Sequence, residues 1–246
     1  MKKNVIITAG GTEEAIDNVR KITNVSSGKL GSIICNTLLE NKDSDIEKIF
    51  YLCPKSAVRP IDNEKIKYVF IKSVNDLKER VEKLLRNNKI DLFIHSMAVS
   101  DYTVDYVTNA SMLSKYIEED GSNNVKELIL NNKNIFDMNG KISSTEKDLI
   151  IKLKPTPKVI SLIKEFSPDT FLVGFKLLDN VEENELINVA IGLKDKNKCD
   201  LVVANDLTNI KFGEHKAFII DKENKIINAN GKEEIAQKLV RRIFND

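Results

Sequence analysis

Residues Val5–Gly31 read VIITAGGTEEAIDNVRKITNVSSGKLG. Val5, Ile6 and Ile7 are apolar without alternation, the composition of a strand covered on both faces, as in a parallel sheet flanked by helices. That strand runs into a long polar loop punctuated by glycine, so something small and polar is expected to sit above its C-terminal end.

Outward from this stretch, apolar runs alternate with segments of helical period. Strands are expected at Asn4–Thr8, Ile49–Cys53, Tyr68–Ile71, Leu92–His95, Thr170–Gly174, Leu201–Ala204 and Ala217–Ile220. Helices are expected at Gly28–Leu39, Val74–Leu85, Thr156–Phe166, Val181–Leu193 and Glu233–Phe244. The pattern predicts an α/β fold: a doubly wound, mostly parallel, Rossmann-like sheet of about six or seven strands. Two stretches break the rhythm. Residues 102–148 are charged and rich in asparagine, too long for a plain connection, and are expected to form a flap or lid. A shorter loop is expected at Thr208–Lys216. No repeat or Pro/Gly/Ser-rich linker divides the chain, so residues 1–246 are read as a single domain.

Composition excludes several classes. Lys and Arg number 38 against 37 Asp and Glu, which leaves no overall basic field to drive nucleic-acid binding. No apolar run is long enough to span a bilayer, and the apolar segment at the start is too short for a signal peptide. A cytoplasmic location is therefore expected, without membrane or nucleic-acid partners. Cys35, Cys53 and Cys199 are dispersed and odd in number, fitting buried thiols in a reducing compartment. His95 and His215 are the only histidines. No cluster has metal-ligand spacing, and no nucleophile signal adjoins either histidine, so no resident metal site is expected.

The opening loop fails two familiar nucleotide motifs. TAGGT lacks the spacing of G-x-G-x-x-G, and around SSGK a P-loop would need glycine at Thr23 and a hydroxyl at Leu30. What remains is an anion cradle. Ser26, Ser27 and Gly28 lie where a helix begins, so backbone N–H groups, hydroxyls and the helix dipole could hold a phosphate, with Lys29 adding a cation. A plain helix cap with a solvated lysine fits those four residues too.

The whole loop resembles the signature of phosphopantothenate–cysteine ligase. Further blocks resemble that family in the same order: SMAVSDY (Ser96–Tyr102), GKISS (Gly140–Ser144), KPTPKVI (Lys154–Ile160), VGFK (Val173–Lys176) and DLVVANDLTNIKFG (Asp200–Gly213). The resemblance spans essentially the full chain. It implies a ligase of coenzyme A biosynthesis that activates the carboxylate of 4'-phosphopantothenate with CTP and couples it to the amine of cysteine. It also implies Mg2+ or a similar divalent cation and a homodimer. With the first strand at Asn4, the stand-alone form is expected, with a separate phosphopantothenoylcysteine decarboxylase as pathway neighbour.

By the same resemblance, Asn24 and Lys141 are the catalytic residues. Arg20, Ser26, Ser27, Gly28, Lys29 and Ala98 would bind substrate. Gly10, Gly11, Asp101, Lys141, Pro157, Lys158, Val159, Ile160 and Phe175 would bind the nucleotide. These residue types suit the chemistry. Attack of a carboxylate on the α-phosphorus accumulates negative charge, which a lysine and a divalent ion stabilise, and an amide donor can hold the acyl carbonyl without titrating. Arginine suits the carboxylate and phosphate of the substrate. Two family lysines on the helix before DLVVAND fall at Leu193 and Asn197 here, with Lys194 and Lys198 close by. Each residue alone also fits a duller use: Asn24 as a turn support, Lys141 as an exposed loop lysine, Asp101 as a cap and Phe175 as core. The same ligation with ATP, or a non-catalytic nucleotide-binding protein on this fold, also remains open.

Overall fold

A computed structural model describes residues 2–121, 124–208 and 215–244. In chain order the elements are β1 (Lys3–Thr8), β2 (Glu13–Ala15), β3 (Lys21–Thr23), α1 (Lys29–Glu40), β4 (Ile46–Cys53), β5 (Ile66–Phe70), α2 (Val74–Asn87) and β6 (Leu92–His95). There follow β7 (Tyr102–Asn109), α3 (Ala110–Asp120), α4 (Val125–Leu130), β8 (Leu149–Pro155), α5 (Val159–Phe166) and β9 (Phe171–Leu178). The chain ends with α6 (Glu183–Asn197), β10 (Leu201–Asp206), β11 (Lys216–Asp221), β12 (Ile226–Asn230) and α7 (Lys232–Phe244). The loop expected at Thr208–Lys216 falls largely on residues 209–214, outside the described residues.

One sheet runs in the order β12-β11-β10-β9-β6-β1-β4-β5, parallel from β10 to β5 and antiparallel for β11 and β12. Successive side chains of a strand point to opposite faces, and β1 feeds two cores accordingly. Val5 and Ile7 join a cluster with Ile34 and Leu38 of α1 and Ile235 and Leu239 of α7. Ile6 joins the other, with Leu77 and Val81 of α2, Ile163 of α5 and Leu186 of α6. Each such fully buried aliphatic side chain contributes about 1.5–3 kcal/mol. The chain leaves β1 for β4 on one side and later returns to β6 on the other. A crevice therefore opens at the carboxyl ends of β1 and β6, where ligands bind in open α/β sheets.

The sheet has eight strands rather than six or seven. The addition is β12, an edge strand whose Asn-rich sequence buries only Ala229 fully. The helix expected from Thr156 starts at Val159. Pro157 disfavours helical backbone in the residue before it, and Thr156 instead bonds the loop after β6: its N–H donates to the Asp101 carbonyl at 3.0 Å and its Oγ1 to the Ser100 carbonyl at 2.5 Å. The helix expected from Val181 starts at Glu183, because the N–H groups of Asn180 and Val181 donate to the Asp206 carboxylate at 3.3 and 2.9 Å.

The insertion after Asp101 is folded. β7 and β8 pair as an antiparallel ribbon, so it extends past 148 to Pro155, and α3 and α4 follow β7. A third apolar cluster of Val104, Val107 and Ile142, with Ile16, Ile22 and Leu149 against it, packs this flap onto the β2–β3 hairpin. The long opening loop thus contains a hairpin that seats the flap.

Candidate functional site

The site assembles where the loop after β1 meets the loop after β6. Ala98 pairs with Gly11 as a parallel bridge; its N–H donates to the Gly10 carbonyl at 2.8 Å and its carbonyl accepts from Thr12 N–H at 3.2 Å. Small residues are needed here because three backbones converge. A Cβ on Gly11 would lie 2.2 Å from the Asn24 carbonyl oxygen, and one on Gly28 would lie 3.1 Å from Gly10 N. Gly28 has φ +75 as the N-cap of α1, a conformation in which a β-carbon is strained. Gly10, Gly11, Asn24, Gly28 and Ala98 are thereby brought together.

Asn24 is oriented by a hydrogen bond from its Nδ2 to the Val99 carbonyl at 3.2 Å. An amide nitrogen carries two N–H groups, so a second donor stays on the same nitrogen. Thr12, wholly buried, braces the same point: its Oγ1 accepts from Ser100 N–H at 2.9 Å and its carbonyl accepts from Thr23 Oγ1 at 3.0 Å. The first turn of α1 holds no acidic residue, and Ser26, Ser27 and Lys29 lead into it. That leaves backbone N–H groups and the positive end of the helix dipole facing the crevice.

Past Ser100 the same loop carries Asp101, whose carboxylate forms an exposed ion pair with Lys158, the N-cap of α5. Asp101 and the segment Pro157–Ile160 are therefore neighbours. Val159 is buried in the second core and could meet a ligand only through backbone, while the partly buried Ile160 packs beside Gly174. Phe175 pairs with Val203 and packs partly buried against the first core.

Lys141 is exposed and makes no hydrogen bond or ion pair among the described residues, yet its neighbours are held. The Asn18 N–H donates to the Gly140 carbonyl at 3.3 Å, and Asn18 Nδ2 donates to the Asn139 carbonyl. The Asp17 carboxylate accepts the Ile142 N–H at 3.1 Å, and Arg20 Nη2 donates to the Ile142 carbonyl at 2.8 Å. Arg20, expected to hold substrate, thus bonds the flap and its own Asp17. The Arg20 guanidinium and the Val19, Arg20 and Ile142 amides hold the Asp17 carboxyl far below the usual carboxylate range. Asp17, Asn18 and Thr12 were not singled out from the sequence. The D-x-x-R spacing in a tight hairpin was the available signal, since Asp commonly caps such turns through its own backbone.

A cavity of about 450 Å³ lies at the other end of the sheet, lined by Lys164, Lys194, Lys198, Asp200 and Lys222. Three of these lysines are held by contacts within the fold. Lys164 and Lys222 bind the Asp200 carboxylate at 2.9 and 2.5 Å. Lys194 is buried with Nζ on the Asp221 and Lys222 carbonyls and Asn224 Oδ1. The C-terminal end of α6 faces the start of β10, away from the crevice, and Lys194 closes the β11–β12 turn.

Among the described residues no group of three or more His, Cys, Asp or Glu side chains could hold a metal ion. A divalent ion fits this donor set only as an ion carried on phosphate oxygens with a carboxylate such as Asp101 completing it, the usual habit of Mg2+. Also among the described residues, no helix is long and apolar enough to cross a membrane.

The family profile described as DNA/pantothenate metabolism flavoprotein C-terminal domain matches residues 1–135 and 130–245. A protein of Thermococcus kodakarensis named Coenzyme A biosynthesis bifunctional protein CoaBC is 32% identical over 96% of this chain and 50% of its own length. Its namesake from Methanocaldococcus jannaschii is 30% identical over 97% of this chain and 50% of its own length. The chain therefore spans about half the length of these curated relatives. A solved structure titled as the DNA/pantothenate metabolism flavoprotein from Streptococcus pneumoniae is 39% identical, with TM-score 0.81, covering 99% of this chain and 98% of that one.

Proposed function

We propose a function for this chain from its membership of the DNA/pantothenate metabolism flavoprotein C-terminal domain family, to which it belongs over residues 1–135 and 130–245. The reading is a ligase of coenzyme A biosynthesis that joins 4'-phosphopantothenate to cysteine through an acyl-cytidylate. The observation that carries it is the convergence of Gly10, Gly11, Asn24, the α1 N-terminus and Ala98 over the ends of β1 and β6, with Asp101 and Lys158 alongside.

In the first half-reaction a carboxylate oxygen of phosphopantothenate attacks the α-phosphorus of CTP; the new P–O bond forms and pyrophosphate leaves. The backbone N–H groups of the α1 first turn, with Ser26, Ser27, Gly28 and Lys29, suit the substrate phosphate. Lys141, its backbone held through its neighbours, would neutralise the charge that builds on the phosphoryl oxygens. Asp101, Lys158 and the backbone of Pro157–Ile160 would hold the nucleotide. A divalent ion carried on the triphosphate supplies further charge neutralisation when bound.

In the second half-reaction the cysteine amine attacks the acyl carbon, loses a proton, and CMP departs as the C–O bond breaks. Asn24 gives one N–H to Val99, and the other can bind the acyl carbonyl as it becomes an oxyanion. A homodimer belongs to the same reading. Val19 and Val25, 65% and 98% exposed beside the site, are apolar side chains that a partner subunit would cover. The product would then pass to a phosphopantothenoylcysteine decarboxylase.

The test is pyrophosphate release with phosphopantothenate and each of CTP, ATP, GTP and UTP, with and without cysteine. Release favoured by CTP, with CMP appearing only when cysteine is present, supports the reading. A preference for ATP corrects the nucleotide. No release with any nucleotide overturns it.

A further inference from the structure

Asp17 sits in the turn of the β2–β3 hairpin with its side chain wholly buried, so it cannot touch a ligand in the crevice. Its Oδ1 accepts the N–H groups of Val19 and Arg20 at 2.8 and 2.7 Å. Its Oδ2 accepts Arg20 Nε at 3.0 Å, Arg20 Nη2, and the Ile142 N–H at 3.1 Å. A carboxylate saturated in this way is firmly ionised and rigid. The Arg20 fork, oriented by it, reaches across to the Ile142 carbonyl at 2.8 Å.

Both polar groups of one flap residue, the N–H and the C=O of Ile142, therefore end on the Asp17–Arg20 pair. The Ile142 side chain, 4% exposed, is anchored in the cluster shared by flap and hairpin. With Asn18 holding the carbonyls of Asn139 and Gly140, the main chain is fixed on both sides of Lys141 while its side chain is left exposed. A side chain meant only for solvent needs no such support; a reacting group needs its backbone held to a fraction of an ångström.

We propose that Asp17 is a positioning residue for Lys141, acting through Arg20 and the backbone of Ile142, and that Arg20 serves the first half-reaction by this grip on the flap. The proposal rests on the ligase reading above for its rate prediction, but the grip itself does not.

Two measurements separate the parts. In the ligand-free chain, the Ile142 amide of Asp17→Asn is expected to exchange hydrogen at least about tenfold faster than in the unaltered protein, with exchange in β1 and β6 unchanged. Equal protection overturns the clamp whatever the activity of the protein. In single turnovers without cysteine, Asp17→Asn is expected to release pyrophosphate at least about tenfold more slowly, with the KM for phosphopantothenate within about twofold. The double variant Asp17→Asn/Lys141→Gln is expected to be no slower than Lys141→Gln alone, because residues acting through one another are not additive. Additive losses, or a raised KM with unchanged rate, overturn the positioning role. Should Asp17→Asn unfold, Arg20→Lys, which keeps the charge and loses the fork, is expected to show the same slow release and the same non-additivity; full activity there overturns the proposal. An unaltered protein that releases no pyrophosphate with any nucleotide would remove the ligase reading, while the exchange experiment would still decide the clamp.

Discussion

Replacing Gly11 by alanine perturbs the site through one atom. The new Cβ would stand 2.2 Å from the Asn24 carbonyl oxygen, where real Cβ atoms essentially never come within 3.0 Å. Gly11 cannot recede, since it is bridged to Ala98 and flanked by the Gly10–Ala98 and Thr12–Ala98 hydrogen bonds at 2.8 and 3.2 Å. The displacement therefore falls on Asn24, which must shift by at least about 0.8 Å to restore contact. A shift of that size takes the Asn24 to Val99 hydrogen bond, already 3.2 Å, out of range. Overpacking of this kind costs about 1–3 kcal/mol. At about 2–4 °C per kcal/mol for a chain of this size, Tm should fall by roughly 2–12 °C. A misplacement of about 1 Å at a reacting group lowers the rate about 100-fold, and here the loss should appear in cysteine-dependent CMP release more than in pyrophosphate release. Differential scanning calorimetry and the two product assays read both effects. Gly192→Ala is the control, because nothing lies within 4 Å of its Cβ and it sits inside α6; it should be neutral or stabilising by about 0.5–1 kcal/mol. A Gly11→Ala protein that keeps both its Tm and its CMP release would refute the reasoning.

Asn24→Asp should still release pyrophosphate but lower CMP release about 100-fold, since a carboxylate repels the developing oxyanion; loss of pyrophosphate release would remove that role. Lys141→Gln should slow pyrophosphate release about 100-fold, and undiminished release would take Lys141 out of the mechanism. Burial pushes the His95 imidazole down to about 4, with Nδ1 2.8 Å from Thr8 Oγ1. The unfolded chain therefore binds an extra proton between its ordinary value of 6.5 and about 4. Stability is complete above 6.5 and falls as the pH drops through that window, by about 2 kcal/mol at pH 5. His95→Gln should flatten this acid limb in melts between pH 7.5 and 4.5; an unchanged slope would show that His95 does not set it.

The parallel core was legible because strands covered on both faces are written as unbroken apolar runs, as in Val5–Ile7, Phe93–Ile94 and Leu201–Ala204. The hairpin of β2 and β3 was not, since the three-residue strands Glu13–Ala15 and Lys21–Thr23 are too short to carry such a signal and pack against the flap through Ile16 and Ile22. β12 was lost because an edge strand that fully buries only Ala229 carries no unbroken apolar run. The glycine and asparagine positions of the crevice carried over from the resemblance and lie together. Arg20 carried over as a residue type, but its partner, the Ile142 carbonyl 122 positions away, is a backbone atom and invisible in a string of side chains. Lys194 shows the converse: a lysine close to the family pattern is held by a turn at the far end of the sheet.

Apart from the Glu14–Thr103 side-chain hydrogen bond at 2.6 Å, the hairpin's hydrogen bonds to the flap end on main-chain atoms of Asn139, Gly140 and Ile142. Recognition of this kind reads chain geometry rather than spelling. Val104, Val107 and Ile142 must keep their bulk to pack against the hairpin, while the two helices between β7 and this point are free to drift, lengthen or be exchanged as long as the returning strand docks. The outer rim of the flap can thus vary without moving the backbone on either side of Lys141, and an engineer could graft new loops at the same place.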